Sequence, residues 1–104
     1  MRQTNADLRR YYRVANRKYF SNALPELNLY FSKLHGISGV TRLLSNAPVY
    51  IEIDEGLRTL QAITIQTVLH EMVHVEHPLW KGHDWRFDRR MLRLAKMGAM
   101  DGLW

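Results

Sequence analysis

The chain has 104 residues, no cysteine, a hydrophobic share of 46%, a charged share of 24% and a net charge of +5. These values fit one ordinary globular domain spanning residues 1–104, with an α+β reading developed below. The absent thiols exclude disulfides and thiolate metal sites, so any transition-metal site must use histidine and carboxylate ligands.

The polar start, Met1-Arg2-Gln3-Thr4-Asn5-Ala6-Asp7, lacks the apolar core of a secretory signal. No uncharged run approaches the roughly 18–20 residues needed to span a bilayer. The expectation is a cytoplasmic protein that does not engage membranes. The positive charge suits polyanionic surroundings and equally serves solubility.

In chain order, Thr4 or Asn5 can cap a first helix that runs to about Phe20, with Asp7 at its positive end. Leu8, Tyr12, Ala15 and Tyr19 recur at helical spacing as its inner stripe. Arg9, Arg10, Arg13 and Arg17 take the remaining surface, either as a solvated face or as a nucleic-acid contact. After Ser21-Asn22-Ala23-Leu24-Pro25, Leu27, Leu29 and Phe31 alternate with polar positions as a half-buried strand does. A turn at His35-Gly36 leads to a second strand over Ile37 to Leu43. Ser45-Asn46-Ala47-Pro48 turns again, and Val49, Ile51 and Ile53 alternate through a third strand that Asp54-Glu55-Gly56 closes. Such short connections predict a small three-stranded, mainly antiparallel sheet.

From about Thr59 to His77 the chain is apolar nearly all round, the mark of a buried helix, which Pro78 should end at or before His77. A last helix is expected from about Asp84 to Met97, with Phe87, Met91 and Leu94 inside and Arg86, Arg89, Arg90, Arg93 and Lys96 outside. Gly98 is its stop.

The polar positions of the buried helix carry the chemistry. His70-Glu71-Met72-Val73-His74 is an H-E-x-x-H unit, in which two histidines four residues apart project from neighbouring turns of one face. One zinc ion can sit between them, with Glu71 beside the open coordination position. Burying these groups without partners would cost several kcal/mol. A pair of hydrogen-bonded core histidines, with Glu71 exposed, is the plainer alternative. His83 favours the metal, because it follows the helix break where the chain can fold back over the first two ligands. His77 competes for the third position, but it lies about one turn beyond the His70–His74 midpoint and precedes Pro78. Glu76 and Asp84 are the nearby carboxylates that could orient a ligand imidazole. Three histidines leave one position for a water, from which Glu71 would take a proton as general base. Tyr50, His77 and Arg86 are candidates to support a ligand or stabilise the transition state.

The segments Thr67-Val68-Leu69-His70-Glu71-Met72-Val73-His74 and Gly82-His83-Asp84-Trp85-Arg86-Phe87 resemble the SprT-like zinc metallopeptidase domain, the family of SprT and Spartan. The order of helix, three strands and motif helix is similar too, over nearly the whole chain. The resemblance implies a minimal zincin-like fold, with His70, His74 and His83 as ligands of one Zn2+ and Glu71 as catalytic base. It implies cleavage of protein or peptide substrates, in Spartan-like members those bound or crosslinked to DNA. Two departures stand out: the loop from His74 to His83 is shorter than in Spartan-like proteins, and this cysteine-free chain has no zinc ribbon. The WLM-type metallopeptidases, whose motif also places a histidine after a proline-broken helix, would use the same chemistry.

Two other functions fit the residues. One is a basic nucleic-acid-binding protein with a mainly structural zinc. Arg9, Arg10, Arg13, Arg17, Arg86, Arg89, Arg90 and Arg93 would meet phosphates, and Tyr11, Trp80 and Trp85 would stack on bases. The other is a zinc hydrolase of a non-peptide amide, since water activation does not itself select the acyl group. Trp80 and Trp104 could each cover the site.

Overall fold

The computed structural model describes residues 2–80 and 82–101, so Met1 and Trp104, named above, lie outside it. Helix α1 spans Asn5–Tyr19 and starts with a reciprocal cap. The Asp7 amide donates to Thr4 Oγ1 at 3.3 Å, and the Thr4 amide donates to Asp7 Oδ2 at 2.8 Å. That second bond holds the Asp7 carboxyl below its ordinary range. Leu8, Tyr12 and Ala15 are buried as the spacing predicts. Tyr11 is buried as well, and so it does not offer a ring to a nucleic acid. Its hydroxyl donates to Gln3 Oε1 at 2.7 Å, and Gln3 Nε2 donates to Thr64 Oγ1 at 3.0 Å. This chain of bonds ties the start of α1 to the motif helix.

Ser21 and Asn22 take positive φ values of 54° and 56°, which ends the helical path. Buried Asn16 then holds the returning chain by both ends of its amide. Its Nδ2 donates to Leu24 O at 3.0 Å and its Oδ1 accepts from Leu24 N at 3.1 Å.

The strands are β1 (Asn28–Ser32), β2 (Gly39–Leu44) and β3 (Ala47–Asp54), in spatial order β1-β3-β2. The β2–β3 pair is the expected antiparallel hairpin, turning through Ser45 and Asn46 at φ 51° and 65°. Consecutive positive φ values suit a two-residue turn that matches the twist of the strands. The β1–β3 pair is parallel, with Leu29 beside Ile51 and Phe31 beside Ile53. The sheet is therefore mixed. Alternation of apolar residues specifies which face of a strand is buried but not which strand lies beside it. The segment through Gly36 does not close a hairpin. It carries the chain past the place that β3 later fills.

Leu29, Phe31, Ile51 and Ile53 form the inner face of the sheet, against which α1 and the motif helix α2 (Gln61–Glu76) pack. Thr59 belongs to the preceding turn, so α2 starts two residues later than the apolar run suggests. His77 caps its C-terminus immediately before Pro78. Helix α3 (Trp85–Lys96) is capped by Asp84, whose Oδ1 accepts from Arg86 N at 2.9 Å, and Gly98 follows it at φ +85°. No described helix is long and apolar enough to cross a membrane.

Two of the arginines on α1 have acidic partners: Arg10 pairs with Asp7 and Arg13 with Glu26. Arg90 is a structural clamp rather than a surface contact. It donates to Glu76 Oε1 at 2.8 Å and Oε2 at 3.2 Å, and to Tyr19 O at 3.1 Å, while its guanidinium lies over the Phe20 ring. It joins the ends of α1 and α2 to the middle of α3.

Removing the Asn16 amide would leave the buried Leu24 backbone without partners. Asn16→Ala should therefore lower stability by about 1–3 kcal/mol in urea unfolding. The exposed Arg13–Glu26 pair is the control, and Arg13→Ala should change stability by less than about 1 kcal/mol.

Candidate metal centre

The third and fourth turns of α2 supply His70 and His74, and the loop leading into α3 supplies His83. One nitrogen from each of the three imidazoles lies within 4.8 Å of the others. His74 Nε2 and His83 Nε2 are 3.2 Å apart. Two nitrogens bound to one tetrahedral zinc at about 2.0–2.1 Å would stand about 3.3–3.4 Å apart, so this pair is already near ligand spacing. The three bases therefore fit a zinc ion by donor type and by placement.

Their electrostatics agree. Partial burial, with His83 and His74 close by, holds His70 down to about 4, and burial with the nearby His83 lowers His74 as well. Neutral imidazole is the form that binds metal. The Phe87 ring stabilises the arrangement sterically, with its centroid 4.7 Å from that of His70, 4.8 Å from His74 and 4.4 Å from His83. Phe87 itself is 3% exposed.

Glu71 is only 4% exposed, so the alternative with a solvated Glu71 does not hold. Its Oε2 lies 3.9 Å from His70 Nε2, and its Oε1 accepts a hydrogen bond from the Thr41 hydroxyl at 2.9 Å. Burial pushes the Glu71 carboxyl up to about 7, with the Thr41 hydrogen bonds opposing the rise. All four residues face a cleft of about 690 Å³ between β2 and α2, walled by Ile37, Val40 and Ile63 on one side and by Trp80 and Met91 on the other.

Several expected participants stand elsewhere. His77 is outside the triad, stacked on Trp80 at 3.6 Å between ring centroids and 3.2 Å from Glu76. Tyr50 lies on the sheet face opposite Ile51, packed edge-on to Tyr30 at 5.9 Å, away from α2. Arg86 turns back on Asp84 at 2.9 Å and over the Trp80 ring at 5.1 Å. None of these three residues brings a donor into the cleft. The two carboxylates expected to accept from a ligand imidazole are engaged elsewhere, Glu76 by Arg90 and Asp84 as the cap of α3. Thr41, by contrast, reads in the sequence as an ordinary strand residue. Only the packing of β2 on α2 reveals it.

A buried carboxylate on α2, beside two imidazoles of the same helix and a third from the loop before α3, makes a candidate metal centre of the H-E-x-x-H type. The SprT-like family model matches residues 8–102, and the chain belongs to that family. Searches of curated proteins and of solved structures return no significant match.

With this geometry, His83→Ala should weaken zinc binding by more than about 10–100-fold, the range seen for residues that merely support a ligand. His77→Ala should leave it within about threefold. Competition with a zinc chelator measures both. The metal-free protein offers a pH test. The raised folded pKa of Glu71 removes stability as pH rises from about 4.5 to 7, whereas the lowered pKa of His70 adds stability from about 4 to 6.5. The two oppose each other, so Glu71→Gln should make metal-free stability rise more steeply across this window than in wild type.

Proposed function

We propose that the protein is a zinc-dependent metallopeptidase, and the observation that carries this reading is the buried Glu71 carboxylate facing the three convergent histidines across an open cleft. His70, His74 and His83 would hold the ion. Once bound, zinc supplies Lewis acidity that brings a water's pKa towards neutrality and polarises a carbonyl. Glu71 takes the proton of the attacking water through its Oε2 side. It then delivers that proton to the leaving amine as the peptide C–N bond breaks.

The substrate backbone would lie extended along β2. In the order β1-β3-β2 this strand is an edge, and its residues Gly39, Val40 and Thr41 line the cleft. Strand addition there satisfies main-chain groups of the substrate without selecting side chains. Protein and peptide substrates fit this better than small amides, which would leave most of the edge unpaired.

Contact with DNA is a second reading, supported by one patch. On α3 the guanidinium of Arg89 lies over the Trp85 ring at 5.1 Å, and Arg86 lies over Trp80, which also borders the cleft. Trp85 is 65% exposed and Arg93 joins the same surface. A stacked base and its phosphate are the ligands such a surface suits. Protein substrates associated with single-stranded DNA would then meet the cleft and the patch together.

Glu71→Gln should keep its zinc and lose cleavage of an unfolded protein by about 10²–10⁴-fold. Full activity in that variant would remove Glu71 from the reaction. Single-stranded DNA should stimulate wild type but not Trp85→Ala/Arg89→Ala, if the patch serves DNA.

A further inference from the structure

We propose that Thr41 is the positioning residue that sets the orientation of the Glu71 carboxylate; this rests on the peptidase reading above. The contact is prepared two residues earlier, at Gly39. A Cβ there would lie 2.8 Å from Thr67 Cγ2 and 3.2 Å from Ile53 Cδ1. Glycine thus lets β2 lie against α2 at a separation that any other residue would widen. Two residues along a strand advance about 6.6–6.8 Å and four along a helix about 6 Å. The close approach of Gly39 to Thr67 therefore recurs one helical turn on, where Thr41 meets Glu71.

At that second meeting the Thr41 hydroxyl donates to Glu71 Oε1 at 2.9 Å, with Glu71 O as an alternative acceptor at 3.2 Å. The terminal torsion of a glutamate is broad and nearly two-fold, so the carbon chain alone does not decide where the oxygens point. A donor on one oxygen does. Oε1 is drawn towards the strand, and Oε2 is left on the side of His70 Nε2, 3.9 Å away. Solvent is poorly placed to substitute, since Glu71 is only 4% exposed. The hydroxyl thus divides the carboxylate into an anchored oxygen and a working one. Both of the hydroxyl's acceptors belong to Glu71.

Thr41→Val removes the hydroxyl at nearly constant shape, and Thr41→Ser restores it. Thr41→Val should lower kcat about 10–100-fold, the range typical of residues that orient a metal site's reacting groups, with KM and zinc affinity within about threefold. Thr41→Ser should recover most of kcat. A second readout needs no turnover. The affinity of acetohydroxamate for the zinc-loaded protein, whose hydroxyl needs an oriented carboxylate as acceptor, should fall about tenfold in Thr41→Val and recover in Thr41→Ser. Wild-type kcat and hydroxamate affinity in Thr41→Val would overturn the proposal, as would a Thr41→Ser variant as impaired as Thr41→Val. Loss of zinc from Thr41→Val would also overturn it, by showing that the contact supports the helix rather than the carboxylate. If wild type shows no turnover while Glu71→Gln matches it, the peptidase reading fails. The hydroxamate comparison then still decides the role of Thr41.

Discussion

A helix buried on nearly every side, carrying two imidazoles and a carboxylate towards one flank, carries a desolvation cost that the structure around it has to offset. Each ionisable group taken from water without a partner would cost several kcal/mol, a large part of the stability of a domain this size. The surroundings of α2 answer this group by group. Burial and mutual proximity keep His70 and His74 neutral, Phe87 covers the imidazoles with an apolar ring, and Thr41 gives the carboxylate a donor. The same arrangement brings one nitrogen of each of the three imidazoles within 4.8 Å of the others. What lowers the cost of burial also prepares the site for a cation.

The features legible in the sequence were those with a short-range cause. The Thr4 cap, the stop at His77 before Pro78 and Gly98 all follow from local backbone chemistry, and each stands where the residues place it, whereas Asp84, read as a support for a ligand imidazole, caps α3 instead. The spacing of His70 and His74 is likewise a property of any helix. His83 needed a long-range guess, which the proline break and the Gly82-His83 context made tractable. The parallel β1–β3 pair was hidden because an apolar alternation looks the same beside either neighbour. Thr41 was hidden for a different reason. A threonine in a strand is ordinary, and its contact with Glu71 lies two places from a glycine that closely approaches the same helix.

The arginines illustrate how charge counts mislead. Ten basic residues on two helices look like one electropositive surface in the sequence, yet their surroundings separate them into different kinds. Arg90 is interior mortar between three helices, and Arg10 and Arg13 are paired with acids nearby. Arg86 and Arg89 stack on tryptophans beside the cleft. Of these two, Arg86 is also paired with Asp84 and its Trp80 is stacked on His77, whereas Arg89 lies over the exposed ring of Trp85.

His83 stands immediately before Asp84, the residue that starts α3, so two of the three nitrogens belong to one helix and the third to the threshold of another. An ion shared among them would be a cross-link between α2 and α3, adding to the Arg90–Glu76 pair and the packing of Phe87. Release of the ion and detachment of α3 would then be two views of one opening. Amide exchange in α3 would then slow as the metal site fills, so that helix would report on occupancy.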